Sequence, residues 1–273
     1  LIVSVFLNVF LIAGLGYGVL GFVFSGLVSA FITLLLCGWL IVKPHFAQPH
    51  VKMVKNLFVY SYPFIFAGLL NVFTHNIAII CLTLNNDLSQ VGIYAVGQKI
   101  GSIVSVLGSS ILMAWTPYMF NIAKEKESPS VFAKGTLIIL TIVLYSTIGL
   151  TVLAVPIISL MTEQSYHGAS KVILPIGLGL SFFVLSPTLK MGLNLNNKTH
   201  LIPIIAFLAA SLGFFFCLYL TEQFGMMGAA WGFAFTWFLN ALLTLGFSGR
   251  YLKVPYDIAS FAIVGVGFIV SIL

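Results

Sequence analysis

VGIYAVGQKIGSIVSVLGSSILMAWTPYMF, residues 91–120, is the stretch on which the fold turns. It is apolar throughout except for one charge, Lys99. A β-barrel strand would alternate polar and apolar residues over about 10 positions. This run is longer and continuous, and a helix is the other way to satisfy backbone groups in lipid. Gly97, Gly101, Ser105 and Ser109 recur every fourth residue, a small-residue ladder that lets a second helix approach closely. Lys99, Val106 and Ser110 fall on the opposite side at about 100° per residue. One face is therefore expected to pack and the other to be wet. Trp115, Thr116, Pro117 and Tyr118 close the run, with Pro117 expected to end the helix and the aromatics to sit at the inner interface.

Working outward, similar runs occupy about 1–14, 18–42, 57–80, 135–157, 170–192, 201–220, 226–248 and 257–273. Of the 273 residues, 60% are hydrophobic and 7% charged. A soluble domain carries about a quarter charged residues. Twelve bases and six acids cannot cover a water-facing surface of this length, which excludes a soluble enzyme, a disordered chain and a secreted disulfide scaffold. Mean hydropathy is +1.13. The fold class is all-α, a polytopic transmembrane helix bundle of roughly eight or nine spans at about 20 residues each. The first and last runs are short, and Leu1 lies inside an apolar run. The sequence reads as an interior or C-terminal fragment of a longer protein.

Loop charges orient the bundle. Bases cluster in 43–55 (Lys43, Lys52, Lys55), 121–134 (Lys124, Lys126, Lys134), 193–200 (Lys198, with Lys190 just inside the helix end) and 249–257 (Arg250, Lys253). The intervening loops hold Asp87, Glu163 with Lys171, and Glu222. The positive-inside rule places the four basic loops in the cytoplasm. The net charge of +6 is then topological and implies no nucleic-acid partner. Cys37, Cys81 and Cys217 are scattered and read as small membrane residues, neither metal ligands nor a disulfide framework.

An internal repeat is also visible. Tyr17-Gly18-Val19-Leu20-Gly21 aligns on Phe224-Gly225-Met226-Met227-Gly228, with Leu35-Leu36 on Leu242-Leu243 and Lys43 on Arg250. Each copy reads as an outer hairpin turn followed by a span, as in parallel transporter repeats. Gly16–Gly21 matches Gly-x-Gly-x-x-Gly, but it lies between spans and follows no strand, so the reading is a tight helical hairpin, not a nucleotide site. No nucleophile elbow, Walker sequence or zinc-protease motif occurs, so no catalytic residue, metal or cofactor is assigned. No pair of intramembrane carboxylates is present for acid–base work.

Lys99 lies about 12 Å into its span at 1.5 Å per residue. A lysine near the bilayer centre costs roughly 3 kcal/mol on insertion scales. Two readings stand side by side: it snorkels to the outer interface, or it forms an anion site in a cavity. Asn71 and His75 are four apart and share a helix face, with Asn76 adjacent. They serve either as interhelical hydrogen-bonding groups or as a polar cavity wall. Pro63, Pro156, Pro175, Pro187 and Pro203 mark candidate kinks.

These residues resemble a family. Val91-Gly92-Ile93-Tyr94-Ala95-Val96-Gly97-Gln98-Lys99-Ile100 through Trp115-Thr116-Pro117-Tyr118-Met119-Phe120 looks like the second C-terminal-lobe helix of bacterial polysaccharide (O-antigen-type) flippases. These are members of the multidrug/oligosaccharidyl-lipid/polysaccharide exporter superfamily. Tyr60-Ser61-Tyr62-Pro63 resembles the opening of that lobe, and Gly225–Trp231 its "GIxGAAxA" turn. The resemblance spans nearly the whole chain and implies a MATE-like fold of two six-helix lobes around a central cavity. Residues 1–42 would end the N-terminal lobe, most of which is missing. Residues 43–56 would form a cytoplasmic interlobe linker and 57–248 the C-terminal lobe, and 249–273 would begin an additional helix. Thr116 departs from a frequent Ser.

The implied function is not enzymatic. It is movement of an undecaprenyl-pyrophosphate-linked oligosaccharide across the bacterial inner membrane for surface polysaccharide assembly. The expected substrate path is Lys99, Asn71, His75, Ser110 and Trp115. Expected partners are the lipid-linked oligosaccharide, membrane lipids and other membrane proteins of polysaccharide assembly. A cation-coupled multidrug exporter of the same superfamily should carry an intramembrane acid, and none is visible. A membrane enzyme of polysaccharide assembly needs a large catalytic outer loop. The longest here, around 158–170, offers Glu163 and His167.

Overall fold

A computed structural model describes residues 2–14, 16–39, 51–85, 87–125 and 127–271. Among these residues the chain is helical, without strands. Five helices are long and apolar enough to cross a membrane, and a bent pair makes a sixth span. The protein is a multi-pass membrane helix bundle. It falls into two compact units, Leu1–Leu57 and Phe58–Leu273. The expected 43–56 linker is described only from Val51, where α3 already begins; residues 43–50 lie outside the described residues.

The first unit is a hairpin. Helix α1 (Ile2–Asn8) continues into a π-helical turn (Val9–Gly14), and α2 runs Gly18–Cys37. Gly16 and Gly18 take φ of 68° and 51°, which a side chain would strain. A Cβ on Gly21 would lie 3.1 Å from Leu11 Cβ, and Ser25 donates to Asn8 Oδ1 at 2.7 Å. The Gly-x-Gly-x-x-Gly segment is thus a tight helical turn.

The second unit is built around α8 (Ile173–Leu189), which follows a 3₁₀ segment (Gln164–Val172). Three helices pack on α8: α5 (Leu88–Ile122), α6 (Ser128–Val152) and α10 (Leu201–Ser248). Lipid offers helices no hydrophobic drive to associate, so close van der Waals contact has to hold them. Small residues supply it. Cβ atoms on Gly97, Gly101 and Gly108 of α5 would lie 2.6, 2.8 and 2.5 Å from Val172, Ile176 and Val184. On α8 itself, Gly177 meets Thr147 of α6 and Gly179 meets Phe233 of α10.

The fourfold ladder is corrected here. Gly97 and Gly101 pack as expected, but Ser105 is half-buried and Ser109 exposed. Four residues turn a helix by about 400°, so an i+4 row drifts about 40° per step. The packed row is Gly97, Gly101, Val104 and Gly108. Pro117 does not end α5, which runs on to Ile122. One missing backbone bond is tolerated in a long membrane helix. Pro156, Pro175 and Pro203 lie in the first turns of α7 (Ala154–Met161), α8 and α10, where a missing N–H breaks no helical bond.

The two runs at 201–220 and 226–248 are the arms of one hairpin joined at Gly225, whose φ of 57° and ψ of −134° only glycine adopts without strain. The arms are in tight register. Gly213 faces Thr236, Gly232 faces Cys217, and a Cβ on Gly228 would lie 1.8 Å from Leu220 O. Gly18 and Gly225, aligned in the internal repeat, share the positive φ. Gly21 and Gly228, three residues on, both approach the preceding arm. Short helix α9 (Met191–Leu195) links α8 to α10. Helix α11 (Ile258–Val270) packs on α6, and Asp257 caps it by accepting from Ser260 Oγ and Ala259 N. The Ser260 hydrogen bond, more than the backbone one, holds the Asp257 carboxyl below its ordinary range.

Candidate functional site

Between Ser61–His75 of α3 (Val51–His75) and Ile77–Leu84 of α4 the chain bends by 54°. No proline sits at the break; Pro63 lies twelve positions earlier, inside α3. Asn76 makes the bend, with φ −102° and ψ 6°. Its backbone N–H donates to Val72 O and Phe73 O, and its side-chain amide donates to Val72 O at 2.8 Å. This is the local competition with helical bonding that makes Asn a poor helix-interior residue.

The break frees the carbonyl of His75. Gln98 Nε2 of α5 donates to it at 2.8 Å, and Gln98 is buried. The expectation from sequence passed over Gln98. Its one available signal was an intramembrane amide, with donors that need acceptors in an apolar span.

His75 is half-buried in an aromatic setting. Its ring lies 6.1 Å from Phe233 and 6.4 Å from Phe183, and Phe183 stacks edge-on to Trp237 at 4.7 Å. Asn71 is half-buried one turn earlier. α4 packs against α5 and α10. α3 is held more lightly, through Ala67 against Leu193, Ile202 and Ile205, the Phe73–Phe214 pair, and the His75 rings. Its Ile65, Phe66, Leu69 and Val72 are exposed. The segment before the bend is a lightly packed arm, and Asn76 sits at the bend.

The expected path residues do not form one cluster. Asn71 and His75 share the α3 face beside Gln98. Lys99 follows Gln98 on α5 and is exposed, on the side away from α8, and Ser110 is exposed as well. Ser110 commits its hydroxyl to Val106 O at 2.9 Å. Trp115 is half-buried against α6, where a Cβ on Gly135 would meet its indole ring, and its Nε1 is buried without a partner.

A second polar feature lies between α8 and α10. Phe183 pairs with Trp237, and below them Ser186 Oγ, Asn240 Oδ1 and Thr244 Oγ1 are buried without hydrogen-bond partners. The sequence expectation included none of these three.

Comparison with known proteins bears on what such a bundle does. The family model described as polysaccharide biosynthesis protein matches residues 1–123. An uncharacterized membrane protein of Methanocaldococcus jannaschii is 26% identical over 91% of this chain and 53% of its own length. The chain thus spans about half the length of the curated relative it matches. No solved structure matches. Residues 1–123 are thus similar to a polysaccharide biosynthesis family, and the chain as a whole to a membrane protein.

Proposed function

We propose that the protein is a lipid-linked oligosaccharide flippase, moving an undecaprenyl-pyrophosphate-linked sugar unit between the leaflets of the bacterial inner membrane. The observation that carries this reading is the pairing of an exposed intramembrane cation, Lys99, with a hinged helix beside it. Lys99 has no ion-pair or side-chain hydrogen-bond partner among the described residues. A cation at that depth is retained where it meets a charged substrate or a watery path. The Asn76 hinge allows α3 to swing while α4 stays packed, the kind of element that alternating access requires. The 1–123 match to a polysaccharide biosynthesis family supports the substrate class. Translocation forms and breaks no covalent bond, so the reading needs no catalytic residue.

Lys99 then attracts the pyrophosphate, and the polar wall of Asn71 and His75 meets the sugars. The test is complementation of surface polysaccharide in a strain lacking the gene, with protein level followed by immunoblot. Lys99→Gln is expected to abolish polysaccharide at normal protein level, and Lys99→Arg to keep part of it, since charge is retained and geometry changes. Normal polysaccharide with Lys99→Gln overturns the role given to Lys99.

A further inference from the structure

Helices α8 and α10 run side by side, with Gly179 against Phe233 and Ala234 and Phe183 against Trp237. The offset that separates Phe183 from Trp237 also separates Ser186 from Asn240 and Lys190, just past the end of α8, from Thr244. On α9 the offset changes, and Gly192 lies against Ser248. Ser186 lies in the last turn of α8, Lys190 just past its end and Asn194 on α9. Asn240, Thr244 and Ser248 follow one another by single turns along α10. Ser186 lies seven residues after Gly179, and Asn240 seven after Phe233, so both stay on the faces that touch higher up.

This polar set is unfinished. Ser186, Asn240 and Thr244 are 3%, 4% and 0% exposed, yet Ser186 Oγ, Asn240 Oδ1 and Thr244 Oγ1 have no partner. Asn194 Oδ1 and the indole Nε1 of Trp237 are likewise buried and unpartnered. Each such group is destabilising if left so. Lys190, just past the end of α8, is half-buried, and its ammonium has no partner among the described residues. No acid pairs with it among the described residues. Asp87, Glu125, Glu127, Glu163, Glu222 and Asp257 all lie in loops, in turns or next to the α10 hairpin turn.

A half-buried cation without an ion-pair partner, at the end of a seam that holds unused hydroxyl and amide groups, is the donor set for an external anion. We propose that Ser186, Lys190, Asn240 and Thr244 bind a phosphate-class anion, in the half of the α8–α10 seam nearer the 193–200 and 249–257 loops. The ammonium supplies charge, the two hydroxyls donate, and the Asn240 amide donates after a half-turn about its last torsion. That the anion is the pyrophosphate of a lipid-linked substrate rests on the flippase reading. The site itself does not. It would be a second station, distinct from Lys99 on α5.

The test is equilibrium binding to the full-length protein in detergent micelles, with three probes: inorganic pyrophosphate, farnesyl pyrophosphate and phosphatidylglycerol. Wild type is expected to bind both pyrophosphate compounds. Ser186→Ala and Lys190→Gln should each weaken binding by about tenfold or more, with Lys190→Arg falling between. Ser186→Ala is the discriminating variant: it deletes an unpaired buried hydroxyl, so thermal stability should hold or rise while affinity falls. Wild-type affinity in both Ser186→Ala and Lys190→Gln overturns the site. Tighter binding of farnesyl pyrophosphate than of either other probe supports a lipid-linked pyrophosphate. Equal binding of inorganic pyrophosphate, or equal competition by phosphatidylglycerol, overturns that assignment and leaves an anion site for free phosphate or bulk lipid. The assay requires no transport, so it stands or falls separately from the polysaccharide test on Lys99.

Discussion

Gln98 spends its side-chain amide on the His75 carbonyl at the Asn76 break. In lipid that carbonyl has no water to turn to, so the bond is tied to the bend itself. Gln98→Met keeps length and volume but removes the donor. It is expected to destabilise the protein by about 1–3 kcal/mol, the cost of an unpaired buried polar group. A thermal unfolding midpoint in detergent equal to wild type would contradict this. Lys99 is the converse case. Its side chain is exposed and has no partner among the described residues, so its loss is expected to reach transport and not stability. A lysine in an apolar run was conspicuous in the sequence. The glutamine beside it was less so, because its role depends on a carbonyl from another helix.

At the scale of elements, α5 shows how a periodic pattern misleads by drift. A strict fourfold reading reaches Ser109, whereas the helix presents Gly108 to Val184. Leucine at Gly101 has to displace Ile176, and overpacking of this kind costs about 1–3 kcal/mol. Leucine at Ser109, on the exposed face, should be accepted with little change. Gly101→Leu is therefore expected to lower folded yield and melting temperature, with Ser109→Leu close to wild type. Equal effects from the two would show that the packed face is misassigned. The α10 hairpin was legible as two spans and a glycine turn. Its register, with Gly213 on Thr236 and Gly232 on Cys217, was not, because it depends on which side chains are small on both arms at once. Prolines were a poor guide to the bend. Three sit in first turns, and the sharp break came from an asparagine that bonds its own backbone.

For the whole molecule, the alternation of basic and base-poor loops sets the expected orientation in the membrane, with 121–134 cytoplasmic and the turn near Asp87 outside. Ser130 and Ser89 are both exposed and report on these two sides. In a Cys37→Ser background, Ser89→Cys in intact cells should react with a membrane-impermeant maleimide, and Ser130→Cys only after permeabilisation. Reaction of Ser130→Cys alone in intact cells would invert the map and, with it, the side on which the α8–α10 seam opens. The second unit places α8 at its centre, enclosed by α5, α6 and α10, with α3 leaning on it through a few side chains. A light arm on a rigid base is where motion costs least, because few packed contacts must break.

Composition and run length by themselves determined that this chain is an all-helical membrane bundle, because each span has to be apolar and close its own hydrogen bonds regardless of its neighbours. Turn glycines marked the hairpins for an equally local reason, since a positive φ is a property of one residue. The tertiary structure alone decided which faces meet. It set Trp115 into the α5–α6 contact, gave the His75 carbonyl to Gln98, and laid Phe183 of α8 on Trp237 of α10. Those outcomes depend on pairs of residues far apart in sequence. Helical periodicity assigns a residue to a face but does not say which helix that face will touch.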